Sequence, residues 1–198
     1  MMGNKPGGDK GKPLLLGGVP SSSSNGAAYH VTFEDQGDHE TATLTNGSSP
    51  DAYYRPWSNG ACTEGSFALD GSIKYFFTAQ LSGCSIWVKT DKDHRKISIL
   101  HEARTDAKSQ QAHHENGFAL IVDSNSMKKF GFSQEASQNV DVQKNEKTAV
   151  YFEAYAILDY EHKVMEFRIQ MIQLFRDSKS ENHYKLLDMK PMMVPLPS

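Results

Sequence analysis

Two short apolar runs near the middle of the chain give the clearest pattern of hydrophobic and polar positions. Residues 84–88 and 97–101 are rich in β-branched and aromatic side chains, which predicts two β-strands. Residues 89–96 between them are all charged or polar, so we predict that they form the loop of a hairpin.

The register of this hairpin can be predicted by matching the apolar faces of its strands. A register that places Val88 opposite Ile97 also places Cys84 opposite His101. A slip by one residue would move every apolar side chain to the other face. Directly opposed residues have Cβ atoms about 4.5–5.5 Å apart, close enough for a thiol and an imidazole to hydrogen-bond. We therefore hypothesise a nucleophile–base pair at the end of the hairpin.

Similar runs predict further strands on both sides of this hairpin. They lie at residues 29–34, 40–44, 71–80, 118–122, 148–158 and 163–175. A turn at 159–162 would join the last two, with a bulge near Met171, where the apolar positions change face. Residues 102–116 fit either a long loop or a solvated helix. The pattern predicts an α+β fold, predominantly β, with a central β-sandwich of mixed or antiparallel strands and peripheral helices and loops.

Composition divides the chain into two parts. Residues 1–28 are mostly Gly, Pro, Ser and Lys, so they are predicted to form a flexible leader. Residues 29–198 are predicted to form a single domain, since 198 residues of which 38% are hydrophobic can bury one core.

Charge and hydropathy argue against several function classes. The net charge is −3 and the basic residues are scattered, which gives no indication of nucleic-acid binding. No apolar run approaches the ~18 residues needed to span a membrane, and the N-terminus lacks the apolar core of a cleavable secretory signal. Cys62 and Cys84 are expected to be thiols, because a stapled secreted domain usually carries more cysteines.

Cys84 is the candidate nucleophile, although a cysteine in an apolar run is often only a small buried hydrophobe. Gly83 before it can adopt φ > 0 or a close backbone approach, which would present the Cys84 amide to a developing oxyanion. His101 would lower the thiol pKa and transfer its proton.

Other candidate residues have fewer of the features expected of a catalytic or metal-binding site. Cys62 lies in a predicted loop and is a rival nucleophile, but no histidine is in register with it. The adjacent His113 and His114 are not expected to bind metal, since neighbouring strand residues face opposite sides and no cysteine or acidic pattern completes a site. No metal site is therefore predicted.

Residues 81–84, Leu-Ser-Gly-Cys, with a histidine downstream, resemble the catalytic motif of the cytotoxic necrotizing factor / Burkholderia lethal factor family of bacterial glutamine-deamidase toxins. Thr78, preceded by two phenylalanines, and the Pro56-Trp57 pair also resemble the family sequence around this cysteine. The resemblance covers residues 56–101.

This resemblance implies a role for each matching residue. Cys84 would be the nucleophile, His101 the base and then the acid, and Thr78 a further member of the catalytic group. Ser82 and Gly83 would shape the oxyanion region.

Two further assignments follow from the same resemblance. Pro56 and Trp57 are candidates for the wall of the substrate cleft, the alternative for Trp57 being a core or rim aromatic. The cysteine-to-histidine spacing is longer than in the family, so His94 stays open as the base, although the predicted register favours His101.

The resemblance implies a bacterial protein delivered into the host cytosol without a cleavable signal peptide. It would be a monomer that converts one glutamine of a host protein to glutamate through a thioester, without a cofactor. The implied target is a translation initiation helicase or a Rho-type GTPase, and neither nucleic acid nor membrane is an expected partner. The alternatives are a cysteine peptidase, a transglutaminase, or a non-enzymatic β-sandwich binding module with Cys84 in its core.

Overall fold

A computed structural model describes residues 11–20, 26–56, 58, 60–81, 83–103, 107–123, 148–177 and 179–197. The described residues form twelve strands and one helix. In chain order these are β1 (Leu14–Gly18), β2 (Ala27–Asp35), β3 (Glu40–Thr45), β4 (Ala52–Arg55), β5 (Cys62–Ala68), β6 (Tyr75–Thr78), β7 (Ser85–Asp91), β8 (Lys96–Glu102), α1 (Ala107–Glu115), β9 (Ala119–Asp123), β10 (Thr148–Asp159), β11 (Val164–Arg176) and β12 (Asn182–Pro195).

The strands form two sheets, which confirms the predicted, predominantly β fold. The larger sheet has eight strands in the order β1-β3-β2-β4-β6-β10-β11-β12, and the smaller has four in the order β5-β8-β7-β9. The larger sheet is mixed, because β1 with β3 and β4 with β6 pair in parallel. Helix α1 is polar, and within the described part of the chain no helix has the length and hydrophobicity needed to cross a bilayer.

Strict alternation along the central strands gives the larger sheet two apolar faces. On β10, Ala154 and Ala156 face a main core, which also contains Ile86 of β7 and so lies between the two sheets. Tyr155 and Ile157 face a second core. The large sheet therefore buries both of its sides, which explains why its central strands have few exposed positions.

The second core is enclosed because the larger sheet curls. The backbone of Leu14 on β1 accepts and donates hydrogen bonds of 2.8 Å with the side-chain amide of Gln170 on β11. The Tyr184 amide on β12 donates to Asp38 in the turn after β2, at 2.9 Å. These bonds connect the two ends of the sheet order and close the sheet over the second core.

Strand β1 falls inside the segment predicted to be a flexible leader. Leu14 and Leu15 are buried, and β1 pairs in parallel with β3. The prediction does not hold for residues 14–18, because consecutive leucines supply an apolar strand that the second core buries. It also fails for residues 27–28, which begin β2 and pair with β4. Residues 1–10 and 21–25 of the predicted leader lie outside the described residues.

Several element predictions are confirmed in detail. Strands β10 and β11 form the predicted hairpin, and the register of β11 against β12 shifts between Met171 and Ile172, where the bulge was expected. The segment 102–116 contains a helix with no buried residue among its members, which selects the solvated helix over the long loop.

The register of the β7–β8 hairpin differs from the prediction by two residues. Val88 pairs with Ile99, and Ile86 rather than Cys84 pairs with His101. The shift arises because β7 extends three residues into the predicted loop and β8 extends only one, which leaves a turn at residues 92–95 in which Arg95 adopts a left-handed φ of 45°. A shift of two preserves the faces of both strands, so Cys84 remains on the His101 side, as a diagonal neighbour instead of a direct one.

A carboxyl group near the second core should make stability depend on pH. Burial raises the pKa of the half-buried Glu153 on β10 from 4.5 to about 7. The folded state then holds a proton that the unfolded chain releases, so this contribution is complete below pH 4.5 and is lost as pH rises through 7. Over this pH range the free energy of unfolding of wild type should fall by roughly 1–2 kcal/mol because of Glu153, and Glu153→Gln should abolish this fall.

Urea unfolding at several pH values measures this effect as the difference between wild type and variant, since other groups contribute equally to both proteins. The exposed Glu161→Gln is the matched control and should follow wild type. A Glu153→Gln curve parallel to that of wild type from pH 4.5 to above pH 7 would contradict the assignment.

Candidate active site

The candidate site is built where strands of both sheets end side by side. Arg55 and Thr78 are the last residues of β4 and β6 and pair in register in the larger sheet. His101 comes from β8 of the smaller sheet. The Thr78 hydroxyl lies 2.6 Å from Nδ1 of His101 and 3.1 Å from the carbonyl oxygen of Arg55. Thr78 therefore connects the two layers of the sandwich through a single hydroxyl.

This hydroxyl also fixes the proton position on His101. The Thr78 hydroxyl has one proton, which it donates to the Arg55 carbonyl, so it accepts a hydrogen bond from Nδ1–H of His101. Nε2 is then the unprotonated nitrogen. It is fully buried and has no hydrogen-bond partner among the described residues, so the hydrogen bond predicted between His101 and the Cys84 thiol is not formed at this nitrogen. The arrangement leaves one imidazole nitrogen available to accept a proton.

The electrostatic environment keeps this imidazole neutral. Burial, together with the nearby positive charge of Arg55, lowers the pKa of His101 from 6.5 to about 4. The exposed fraction of His101 is 0% and that of Thr78 is 4%. A neutral, buried imidazole whose other nitrogen is fixed by a hydroxyl can act as a general base.

Arg55 is a component that sequence reasoning missed. Its side chain is buried, burial lowers its pKa, and its Nε and Nη1 have no hydrogen-bond partner in the described part of the chain. The Tyr53 hydroxyl is a hydrogen-bond partner of its guanidinium. A Cβ at Gly65 would lie 2.6 Å from this hydroxyl and 3.0 Å from Cδ of Arg55, so only glycine leaves room for the pair. One signal was available, an arginine within the aromatic run 53–57.

Removing the Arg55 charge should separate its electrostatic effect from its packing. We expect Arg55→Met to raise the pKa of His101 and to change the free energy of unfolding by only about 1 kcal/mol, in either direction, because a buried cation gives way to an apolar chain of similar length. NMR titration of the His101 ring measures the pKa. An unchanged His101 pKa in a folded Arg55→Met protein would contradict this account.

Cys84 lies at the boundary between the main core and a cleft. Its side chain is 3% exposed and belongs to the main core cluster with Leu81 and Ile86. Gly83 has φ of 73°, which is one of the two roles considered for this glycine from the sequence. Gly83 and Leu81 line a cleft of about 520 Å³ on one side of the motif, together with Phe152 of β10. The thiol is therefore one residue from a cleft wall.

The structure places the remaining predicted site residues as follows. Pro56 follows β4, and its carbonyl accepts a hydrogen bond of 3.1 Å from the Thr63 hydroxyl, which also lies 3.2 Å from the carbonyl of His101. Pro56 is therefore linked to the same strand ends as Thr78. Trp57 and Ser82 lie outside the described residues.

His94 lies in the turn at the opposite end of β8 from His101. Its side chain is 76% exposed, and its Nδ1 is 2.8 Å from a carboxylate oxygen of Asp91. Seven residues of extended chain span roughly 20 Å, so His94 is remote from Thr78. The hydrogen bond to Thr78 selects His101 as the histidine of this site.

Known proteins do not provide an independent identification. No protein-family model matches the chain, and no curated protein sequence matches it.

Proposed function

We propose that the protein is a cysteine-dependent protein-glutamine deamidase. The observation that carries the proposal is the 2.6 Å contact between the Thr78 hydroxyl and Nδ1 of His101. The family resemblance singles out these two residues with Cys84, and they come from different sheets and lie 23 positions apart. Their contact orients the His101 ring and leaves Nε2 free to accept the thiol proton.

The chemistry follows from these groups. Nε2 of His101 takes the proton of the Cys84 thiol, and the sulfur attacks the carboxamide carbon of a glutamine side chain. Backbone N–H groups at residues 83–84 are the proposed donors to the tetrahedral oxyanion, and the buried Arg55 cation adds favourable potential. The imidazolium then protonates the departing ammonia and leaves a thioester. His101 finally deprotonates a water molecule, which hydrolyses the thioester to a glutamate carboxylate and regenerates the thiol.

Substrate would reach the thiol from the cleft beside the motif. Gly83 lines the cleft and precedes Cys84, and a glutamine side chain is long enough to place its carboxamide beyond this one residue. Because Cys84 is 3% exposed, the backbone at Gly83 has to yield for attack to occur. Glycine permits this more readily than any other residue.

The biological role proposed here is that of a bacterial toxin that acts in the host cytosol as a monomer and needs no cleavable signal peptide. The proposed target is a host protein, either a translation initiation helicase or a Rho-type GTPase. These proposals rest on the family resemblance. Conversion of glutamine to glutamate adds one negative charge to the target, which can disrupt a binding surface.

The test is intact-mass analysis of candidate host proteins after incubation with the protein. The expected result is the small mass increase of amide-to-acid conversion at one glutamine, with release of ammonia. Peptide cleavage would indicate a peptidase, and incorporation of an added primary amine would indicate a transglutaminase, because all three share the acyl-enzyme step. No change in any candidate would contradict the proposal.

A second candidate function, a non-enzymatic β-sandwich binding module, is favoured by the burial of Cys84 in the main core. In that function the cysteine contributes packing alone. A Cys84→Ala variant that lost stability but retained every biological effect of wild type would support the binding module over the enzyme.

A further inference from the structure

A second polar cluster lies on the opposite face of the four-stranded sheet from His101. Cys62 begins β5 and pairs directly with Glu102, the last residue of β8. His113 of helix α1 reaches the same point. No sequence pattern indicates a histidine or a carboxylate beside Cys62, because α1 is brought there only by the fold.

Three potential ligand atoms of this cluster converge. Nε2 of His113 is 3.1 Å from Oε2 of Glu102 and 4.0 Å from Sγ of Cys62, and all three atoms lie within 4.8 Å of one another. The Glu102 side chain is fully buried, and that of His113 is 15% exposed. The site is thus largely enclosed, with one side accessible through the half-buried Cys62.

This geometry differs from that of a catalytic triad. In a triad the histidine uses one ring nitrogen for the nucleophile and the other for the carboxylate. Here the thiol and the carboxylate both approach Nε2 of His113. Around a tetrahedral zinc ion, with bonds of about 2.0–2.3 Å, the ligand atoms would lie roughly 3.3–3.7 Å apart, a few tenths of an ångström from the two measured separations.

Neighbouring side chains hold the potential ligands in place. The Ser85 hydroxyl donates to Oε2 of Glu102 at 3.4 Å and accepts from Nε1 of Trp87 at 2.9 Å. The Trp87 ring packs against the His113 ring at a centroid distance of 5.0 Å. Hydrogen bonds to ligating carboxylates and packing against ligating histidines hold metal ligands in place.

Helix α1 has no apolar face by which it could pack on the sheet. None of its residues is buried, and its polar sequence presents no apolar face to the sheet. Among the contacts that hold it are those of the His113 and His114 rings on Trp87, that of the His113 ring on Phe118, and the polar contacts of His113. An ion shared between His113 and the sheet would add a further attachment.

We propose that Cys62, Glu102 and His113 form a binding site for one divalent cation of borderline softness, such as Zn²⁺. A thiolate, an imidazole and a carboxylate match the ligand preferences of zinc, and a water molecule completes the fourth position. Cys62 releases its thiol proton to solvent on binding. The ion ties α1 to the ends of β5 and β8, next to Thr63 and His101, so it stabilises the active-site side of the sheet without taking part in the proposed deamidation.

Zinc titration of the full chain after chelator treatment tests this site. The expected result is one equivalent of bound zinc, measured by elemental mass spectrometry, with an increased melting temperature. Cys62→Ser and His113→Gln should each lose the bound zinc and the thermal shift. His114→Gln is the matched control, because His114 also contacts Trp87 but is not among the converging ligands, and it should retain both.

Cobalt substitution tests the site in wild-type protein, so the result does not depend on whether a variant folds. Wild-type protein and Cys84→Ser should both show a thiolate-to-cobalt charge-transfer band, which requires a cysteine ligand. The partly exposed cluster of Asp177, Glu181 and His183 has no thiol, and metal bound there would give no such band. Absence of the band in wild type, or zinc retained at one equivalent in folded Cys62→Ser, would overturn the proposal.

Discussion

Cys84→Ser should eliminate glutamine deamidation, with a loss of at least about 10³-fold in rate, while the protein remains folded. Serine has nearly the same shape, but its hydroxyl is a far poorer nucleophile than a thiol assisted by a neutral imidazole. The buried hydroxyl should reduce the free energy of unfolding by about 1–2 kcal/mol, since it replaces a thiol in the main core. Ammonia release from the target protein and urea unfolding measure the two effects.

The matched control is Cys62→Ser, which replaces the other thiol on the opposite face of the smaller sheet. It should retain deamidase activity when assayed at a temperature where the variant is folded. Equal activity of wild type and Cys84→Ser would rule out Cys84 as the nucleophile.

His101→Ala should cause a loss of comparable size, because it removes the base that Thr78 orients. Thr78→Val should lower kcat by about 10–10³-fold with little change in KM, since the imidazole remains but its ring orientation and tautomer are no longer fixed. Thr78→Ser restores the hydroxyl and should recover most of the activity. These kinetic parameters separate orientation of the base from substrate binding.

The control for the histidine is His94→Ala. His94 is exposed in the β7–β8 turn and should be dispensable for activity. Full activity of a folded His101→Ala protein, together with loss of activity in His94→Ala, would reverse the assignment of the base.

The sequence pattern predicted the faces of the hairpin correctly and its register incorrectly. Apolar alternation repeats every two residues, so it cannot distinguish registers that differ by two. The actual register is set by the short turn, in which Arg95 is left-handed and the His94 amide donates to Asp91 at 3.1 Å. Arginine is not a residue that signals a left-handed turn position, so composition could not reveal it.

Thr78 and His101 could be identified as candidates from the sequence, whereas the role of Arg55 could not. The resemblance named the first two, and their contact depends on how the two sheets stack. Arg55 is noticed only when its burial is known, because an arginine in a sequence is normally expected at the surface.

The cluster of Cys62, Glu102 and His113 illustrates a different limit of sequence reasoning. The prediction of no metal site at His113 assumes a strand, in which adjacent residues face opposite sides. His113 lies on a helix instead, and its partners come from two paired strands 11 and 51 positions away. Such a set is assembled by tertiary structure and leaves no spacing motif in the chain.

The most direct measurement of the central claim is deamidation in water enriched in the heavy oxygen isotope, followed by peptide mass spectrometry of the host target. Wild-type protein should convert one glutamine to glutamate, and the new carboxylate should carry one oxygen from solvent. Cys84→Ser and His101→Ala should leave the glutamine unchanged. A target that is cleaved instead, or one whose glutamine is converted equally well by Cys84→Ser, would contradict this claim.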